Sequence, residues 1–107
     1  MRVVNIVRER ISEEWTTTDS FLVEDRVSNP EEALRNAVRD YMQSEEGKKD
    51  IVDSNYDFNW GDVMMNITDE YLKPHGLQFC HQEIETIVVN QDEILFPELQ
   101  ESILSME

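Results

Sequence analysis

From Ser54 to Glu107 the chain carries one cation, Lys73, against eleven carboxylates. That half cannot neutralise itself locally. Any fold it adopts must leave most of those acids in water or give them hydrogen-bond donors, because an unpaired buried charge is very costly. Residues 1–53 are more balanced, with eight Lys/Arg and thirteen Asp/Glu. The sum is a formal charge of −15 on 107 residues. A surface this anionic repels nucleic acid and anionic lipid and attracts basic proteins. Direct nucleic-acid binding needs Lys and Arg on phosphates, and the C-terminal half has almost none.

High charge with low hydropathy can also signal disorder. Two Trp, four Phe and three Tyr, together with well-spaced apolar runs, argue for a folded chain instead. The length fits one domain, 1–107. The single Cys80 excludes an internal disulfide and suits a reducing cytosol. No stretch approaches the ~18 apolar residues of a membrane span, and MRVVNIVRER has no small-residue cleavage site that would mark a signal peptide.

Along the chain, Val3, Val4, Ile6 and Val7 predict a strand over 2–9. Residues 12–20, SEEWTTTDS, read as a turn or loop with an edge strand at Trp15–Thr18, and Phe21–Glu24 reads as a second short strand. Asn29-Pro-Glu-Glu is a helix start: a capping side chain, Pro at the first helical position, and acids at the positive end of the dipole. Leu34, Val38, Tyr41 and Met42 then share one face, giving a helix over 30–43. A second helix is expected over 45–53, weakened by Gly47. Residues 77–90 read as one long strand or a hairpin, Asn90-Gln-Asp as a turn, and the segment after Pro97 as a short helix with Leu99, Ile103 and Met106 on one side. The expected fold is α+β: a small antiparallel sheet with helices at about 30–43, 45–53 and 60–72 on one face.

The stretch Asp53–Asp62, DSNYDFNWGD, is the densest in polar and aromatic groups. It is not a calcium loop. Asp53, Asn55 and Asp57 fit the first, third and fifth positions of such a loop, but Phe58 stands where Gly is needed and Met64 where the closing Glu is needed. Starting from Asp57 fails as well. As a helix start it does better: Asn59 can cap, Asp62 follows three residues on, and Trp60, Val63, Met64 and Ile67 have helical spacing. Pro74 and Gly76 would end that helix after Leu72. Tyr56 and Phe58 either seal the core beneath the loop or serve as contacts for a partner.

Chemistry is hard to find. His75, Cys80 and His81 are too few for a zinc site and lack paired spacing, and Cys80 and His81 would point to opposite sides of a strand. Cys80 with a histidine is the only Cys–His combination, without oxyanion glycines nearby. Phosphate-cradling glycine motifs are absent. The expectation is a non-enzyme with no cofactor and no metal.

What remains is binding. Carboxylates fixed on a rigid frame can imitate the phosphate track of duplex DNA, which carries one charge per about 1.7 Å of axis. In size, acidity, single-Cys character and lack of catalytic motifs, the chain resembles anti-CRISPR proteins and anti-restriction DNA mimics of phages and mobile elements. Those families share no sequence signature, so the resemblance assigns no residue a role. It implies a stoichiometric inhibitor seated in the basic groove of a Cas effector or another nuclease. The candidate contacts are Asp53, Asp57, Asp62, Asp69, Glu70, Glu83, Glu85, Asp92 and Glu93, with Tyr56 and Phe58 as anchors. An immunity protein against a basic nuclease toxin would make the same argument. A third reading is an oligomeric adaptor, a homodimer for instance, joined through the C-terminal helix and acidic only for solubility.

Overall fold

The structure, a computed structural model, describes residues 1–10, 14–80, 85–91 and 93–105. Strands β1 (Arg2–Arg10) and β2 (Trp15–Val23) pair antiparallel over their whole length, from Arg2 opposite Val23 to Arg10 opposite Trp15. Three helices follow: α1 (Pro30–Gln43), α2 (Glu45–Asp53) and α3 (Trp60–Asn66). The one-turn helix α4 (Asp69–Leu72) runs into a 3-10 turn at Lys73–His75. Then come β3 (Leu77–Cys80), β4 (Glu85–Asn90) and α5 (Pro97–Ser105). The sheet order is β3-β2-β1-β4.

The class is α+β as expected, but the sheet is mixed. β3 joins β2 antiparallel, whereas β4 lies parallel to β1. Residues 77–90 are therefore neither one strand nor a hairpin. Their two halves form opposite edges of the sheet, about 14 Å apart at ordinary strand spacing. The loop expected over 12–20 is largely strand. Thr16, Thr17 and Thr18 are β-branched residues that suit a pleated surface, and β2 runs unbroken through the separate pieces expected at 15–18 and 21–24.

Strand register sorts the side chains. Val4, Ile6, Phe21, Val23, Leu77 and Val89 share the face that enters the core. Leu34, Ala37, Val38, Tyr41, Ile51, Trp60, Val63, Leu72 and Leu95 cover it from the helices and the segment before α5. On the other face Thr16, Thr18, Gln78, Thr86 and Val88 are exposed. Arg8 is a polar exception on the core side: it is buried and meets Asp19 at 2.9 Å.

The helix starts follow the sequence. Asn29 Oδ1 accepts the Glu32 N–H at 3.1 Å. Asn59 and Asp62 form a complete capping box, each side chain holding the other's backbone N–H at 3.2 Å. The helix expected over 60–72 breaks, however. Ile67 is extended, which sinks its side chain into the core, and Thr68 restarts the chain as the cap of α4. Gly47, the weak point of the second helix by propensity, turns out to be what lets that helix dock. A Cβ there would sit 1.9 Å from the Tyr41 carbonyl oxygen, so only glycine permits α2 to turn so closely off α1. Ser44 joins the two: its N–H donates to Tyr41 O, and its Oγ accepts the Gly47 N–H at 3.0 Å.

Candidate acidic interface

Helices α2 and α4 carry a group of carboxylates at the surface. With Gly47 against α1 and Ile51 fully buried, α2 turns Glu45, Glu46, Lys49 and Asp53 outward. Tyr41 is completely buried, yet its hydroxyl reaches the edge of the core and donates to Asp50 Oδ2. Tyr71 on α4 packs edge-on to Tyr41, with ring centroids 5.3 Å apart, and donates to Glu46 Oε2 at 3.2 Å. Two carboxylates are thus held by phenols rooted in the core. Burial, then the nearby Asp50 and Glu46 charges, push the Tyr41 hydroxyl well above the ordinary tyrosine range, so it stays a donor. Next to Tyr71, α4 sets Asp69 and Glu70 at the surface, and Asp69 Oδ1 accepts the Phe79 N–H at 3.3 Å.

The cations lie mostly elsewhere. Arg35 sits 5.3 Å over the Trp60 ring and reaches Glu31 and Glu93, each at 3.9 Å. Arg39 lies 4.6 Å over Phe96 and reaches Glu98 at 4.0 Å. Arg2 meets Glu85 and donates to Val27 O, and Arg26 meets Glu24 and Pro74 O. These arginines join elements together. Lys48 and Lys49 do stand on α2, and among the described residues neither makes an ion pair.

The expected contact residues divide accordingly. Asp53, Asp57 and Glu70 are exposed, and Asp69 is half-buried on α4. Asp62 closes the α3 capping box, so it is committed to the fold. Glu85 lies on β4, the edge opposite α4, and is paired with Arg2; Glu93 is paired with Arg35. Glu83 and Asp92 lie outside the described residues, as does His81. Phe58 is 1 % exposed and packs at a tilt against Tyr41, ring centroids 6.0 Å apart, so it is core and cannot anchor a partner. Its backbone is gripped by the buried Gln100, whose Oε1 accepts the Phe58 N–H and whose Nε2 donates to Phe58 O. Tyr56, in a left-handed conformation at φ 62°, turns toward Ile94, Pro97 and Leu104.

Sequence reading missed Glu45, Glu46 and Asp50, which fall in the half with more cations. The available signal was the four-residue spacing of Glu46 and Asp50 on a helix whose neighbour ends in a core tyrosine.

Among the described residues, no group of three or more His, Cys, Asp or Glu could hold a metal ion. His75 is held by Asp40 at 2.6 Å, and Cys80 is half-buried on the strand β3. No helix among these residues is long and apolar enough to cross a membrane. Compared with protein-family models, curated proteins and solved structures, the chain matches none.

Proposed function

We propose that this protein is a non-catalytic inhibitor that seats the acidic surface of α2 and α4 in the basic groove of a nucleic-acid enzyme, such as a Cas effector or restriction nuclease. The observation that carries this reading is the anchoring of Glu46 and Asp50 by Tyr71 and Tyr41 on a packed core. A mobile carboxylate loses side-chain entropy when it is captured, whereas a tethered one has already lost it. Glu45, Asp53, Asp69 and Glu70 extend the field around that pair, and the arginines that would quench it are engaged in the α1–α5 seam.

Binding of this kind competes directly with nucleic acid. It associates quickly because opposite fields steer the encounter, and it weakens as salt screens them. An immunity protein against a basic nuclease toxin would use the same surface. The test is a pulldown from host lysate at low and high salt, with the captured protein assayed for cleavage at increasing inhibitor. The expected result is a 1:1 complex with a basic nuclease, lost at high salt, that blocks substrate binding. Capture that is indifferent to salt, or that leaves substrate binding intact, would overturn the reading.

A further inference from the structure

Tyr56 stays near the surface, and the acidic surface of α2 and α4 does not use it. Three non-glycine residues of positive φ gather around it. Asn55 (φ 58°) and Tyr56 (φ 62°) are consecutive, and Phe96 (φ 46°) precedes Pro97. Side chains with a Cβ rarely adopt this left-handed backbone, and it persists only where its surroundings hold it, often at binding sites. Here the end of α2 holds it: the Asn55 N–H donates to Val52 O and the Tyr56 N–H to Ile51 O, each at 3.0 Å. The two turns set Tyr56 with Ile94, Pro97 and Leu104 around a cavity of about 210 Å³, which Gln100 and Glu101 complete. Ile94 and Leu104 are 41 % and 54 % exposed. Gln100 is buried, and both ends of its amide are engaged with the backbone of Phe58 and Leu95, so the cavity keeps its shape when empty.

We propose that this cavity docks a basic peptide segment of another protein: one apolar side chain fills it, and Lys or Arg residues on either side meet Asp57 and Glu101. The volume falls below the roughly 300 Å³ at which small-molecule pockets begin, so it suits a single side chain. Charge selects what flanks that side chain. Asp57 follows Tyr56 in the chain and Glu101 lines the cavity. Both are exposed, and among the described residues neither is in an ion pair. The nearby arginines of α1 are committed, Arg35 to Trp60 and Glu93, and Arg39 to Phe96 and Glu98. A second copy fits less well, because a two-fold contact joins the same patch on both partners and would bring acids against acids. This inference stands whether or not the α2–α4 surface binds a nuclease.

Selection from a random peptide library on the immobilised whole chain tests it, with the recovered peptides then measured against variants by fluorescence anisotropy. Recovered peptides should share one bulky apolar residue with Lys or Arg on both sides. Leu104→Lys, at an exposed position, should weaken their binding by about tenfold or more. Glu101→Gln should weaken it less and flatten its salt dependence. Glu70→Lys alters the α2–α4 surface and should leave these peptides bound within roughly twofold, so the two readings fail separately. All three variants should keep the native circular dichroism. Peptides that bind Leu104→Lys as tightly as the native chain would overturn the inference, as would basic peptides with no shared apolar residue, or no enrichment over the bare support. A native dimer in sedimentation equilibrium that Leu104→Lys breaks would overturn it too, making a second copy the occupant.

Discussion

Along the seam between α1 and the segment leading into α5, Arg35 and Arg39 lie over Trp60 and Phe96 and reach Glu31, Glu93 and Glu98. Across α2 and α4, Glu46 and Asp50 meet tyrosine hydroxyls, and among the described residues no arginine reaches them. Both regions hold carboxylates, but to opposite effect. A guanidinium is planar and weakly hydrated, so it packs on aromatic rings while pairing with acids, and it cancels part of the charge of Glu31, Glu93 and Glu98. A phenol fixes a carboxylate without cancelling its charge. Arg35 and Arg39 are taken up in the seam, whereas the cations near the tethered pair are the lysines of α2, Lys48 and Lys49.

Breaking the seam should produce the largest effect. Trp60 is fully buried beneath Arg35, and Trp60→Ala should lower stability by about 4 kcal/mol in urea unfolding. Next comes the joint that carries the acidic helix. Gly47→Ala forces a methyl group against the Tyr41 carbonyl and should cost about 2–3 kcal/mol. It should also weaken partner binding, because α2 can no longer seat Glu46 and Asp50 against their tyrosines.

Tyr41→Phe isolates one tether and should cost about 1 kcal/mol at neutral pH. Its pH signature is more specific. Because the folded state holds the Tyr41 proton more tightly than the unfolded chain does, the native protein keeps this contribution at neutral pH. It loses that contribution as pH climbs past the unfolded tyrosine value of about 10. Thermal melts of Tyr41→Phe should decline less steeply in that alkaline range than those of the native chain. The smallest effect on stability belongs to the lysines of α2. Lys49→Gln should change it by no more than about 0.5 kcal/mol, yet it should tighten the complex at low salt by removing an interleaved positive charge.

Much of this frame was legible from local signals. Asn29 with Pro30 and Asn59 with Asp62 announce the starts of α1 and α3, because capping chemistry involves residues only a few positions apart. The break at Ile67 was not legible, since its reason is a core socket formed by distant residues. Nor was the parallel union of β4 with β1: a strand's hydrophobic pattern does not encode the direction of its neighbour. The strand expected at Trp15–Thr18 is present but is no edge: it continues to Val23 as β2, between β3 and β1, because β3 returns to pair with its far end.

For the acidic site, dividing the chain into halves by charge pointed to Asp57, Asp69 and Glu70, and also to Glu85 and Glu93; Asp53 closes the other half. Glu85 and Glu93 are drawn into ion pairs by arginines from the first half. The same division hid Glu46 and Asp50, because charge counted along the chain does not reveal which side chains fold together.

The most direct test of the central claim is a competition assay in which the captured nuclease is displaced from its nucleic acid by charge-reversed variants of this protein. Asp53→Lys with Glu70→Lys alters the exposed rim of the α2–α4 surface, and Glu32→Lys with Glu101→Lys alters equally exposed acids on α1 and α5. The account predicts that the first pair abolishes competition at moderate salt while the second leaves it nearly intact. Equal losses from both pairs would mean that total charge, and no particular surface, does the binding, and would contradict it.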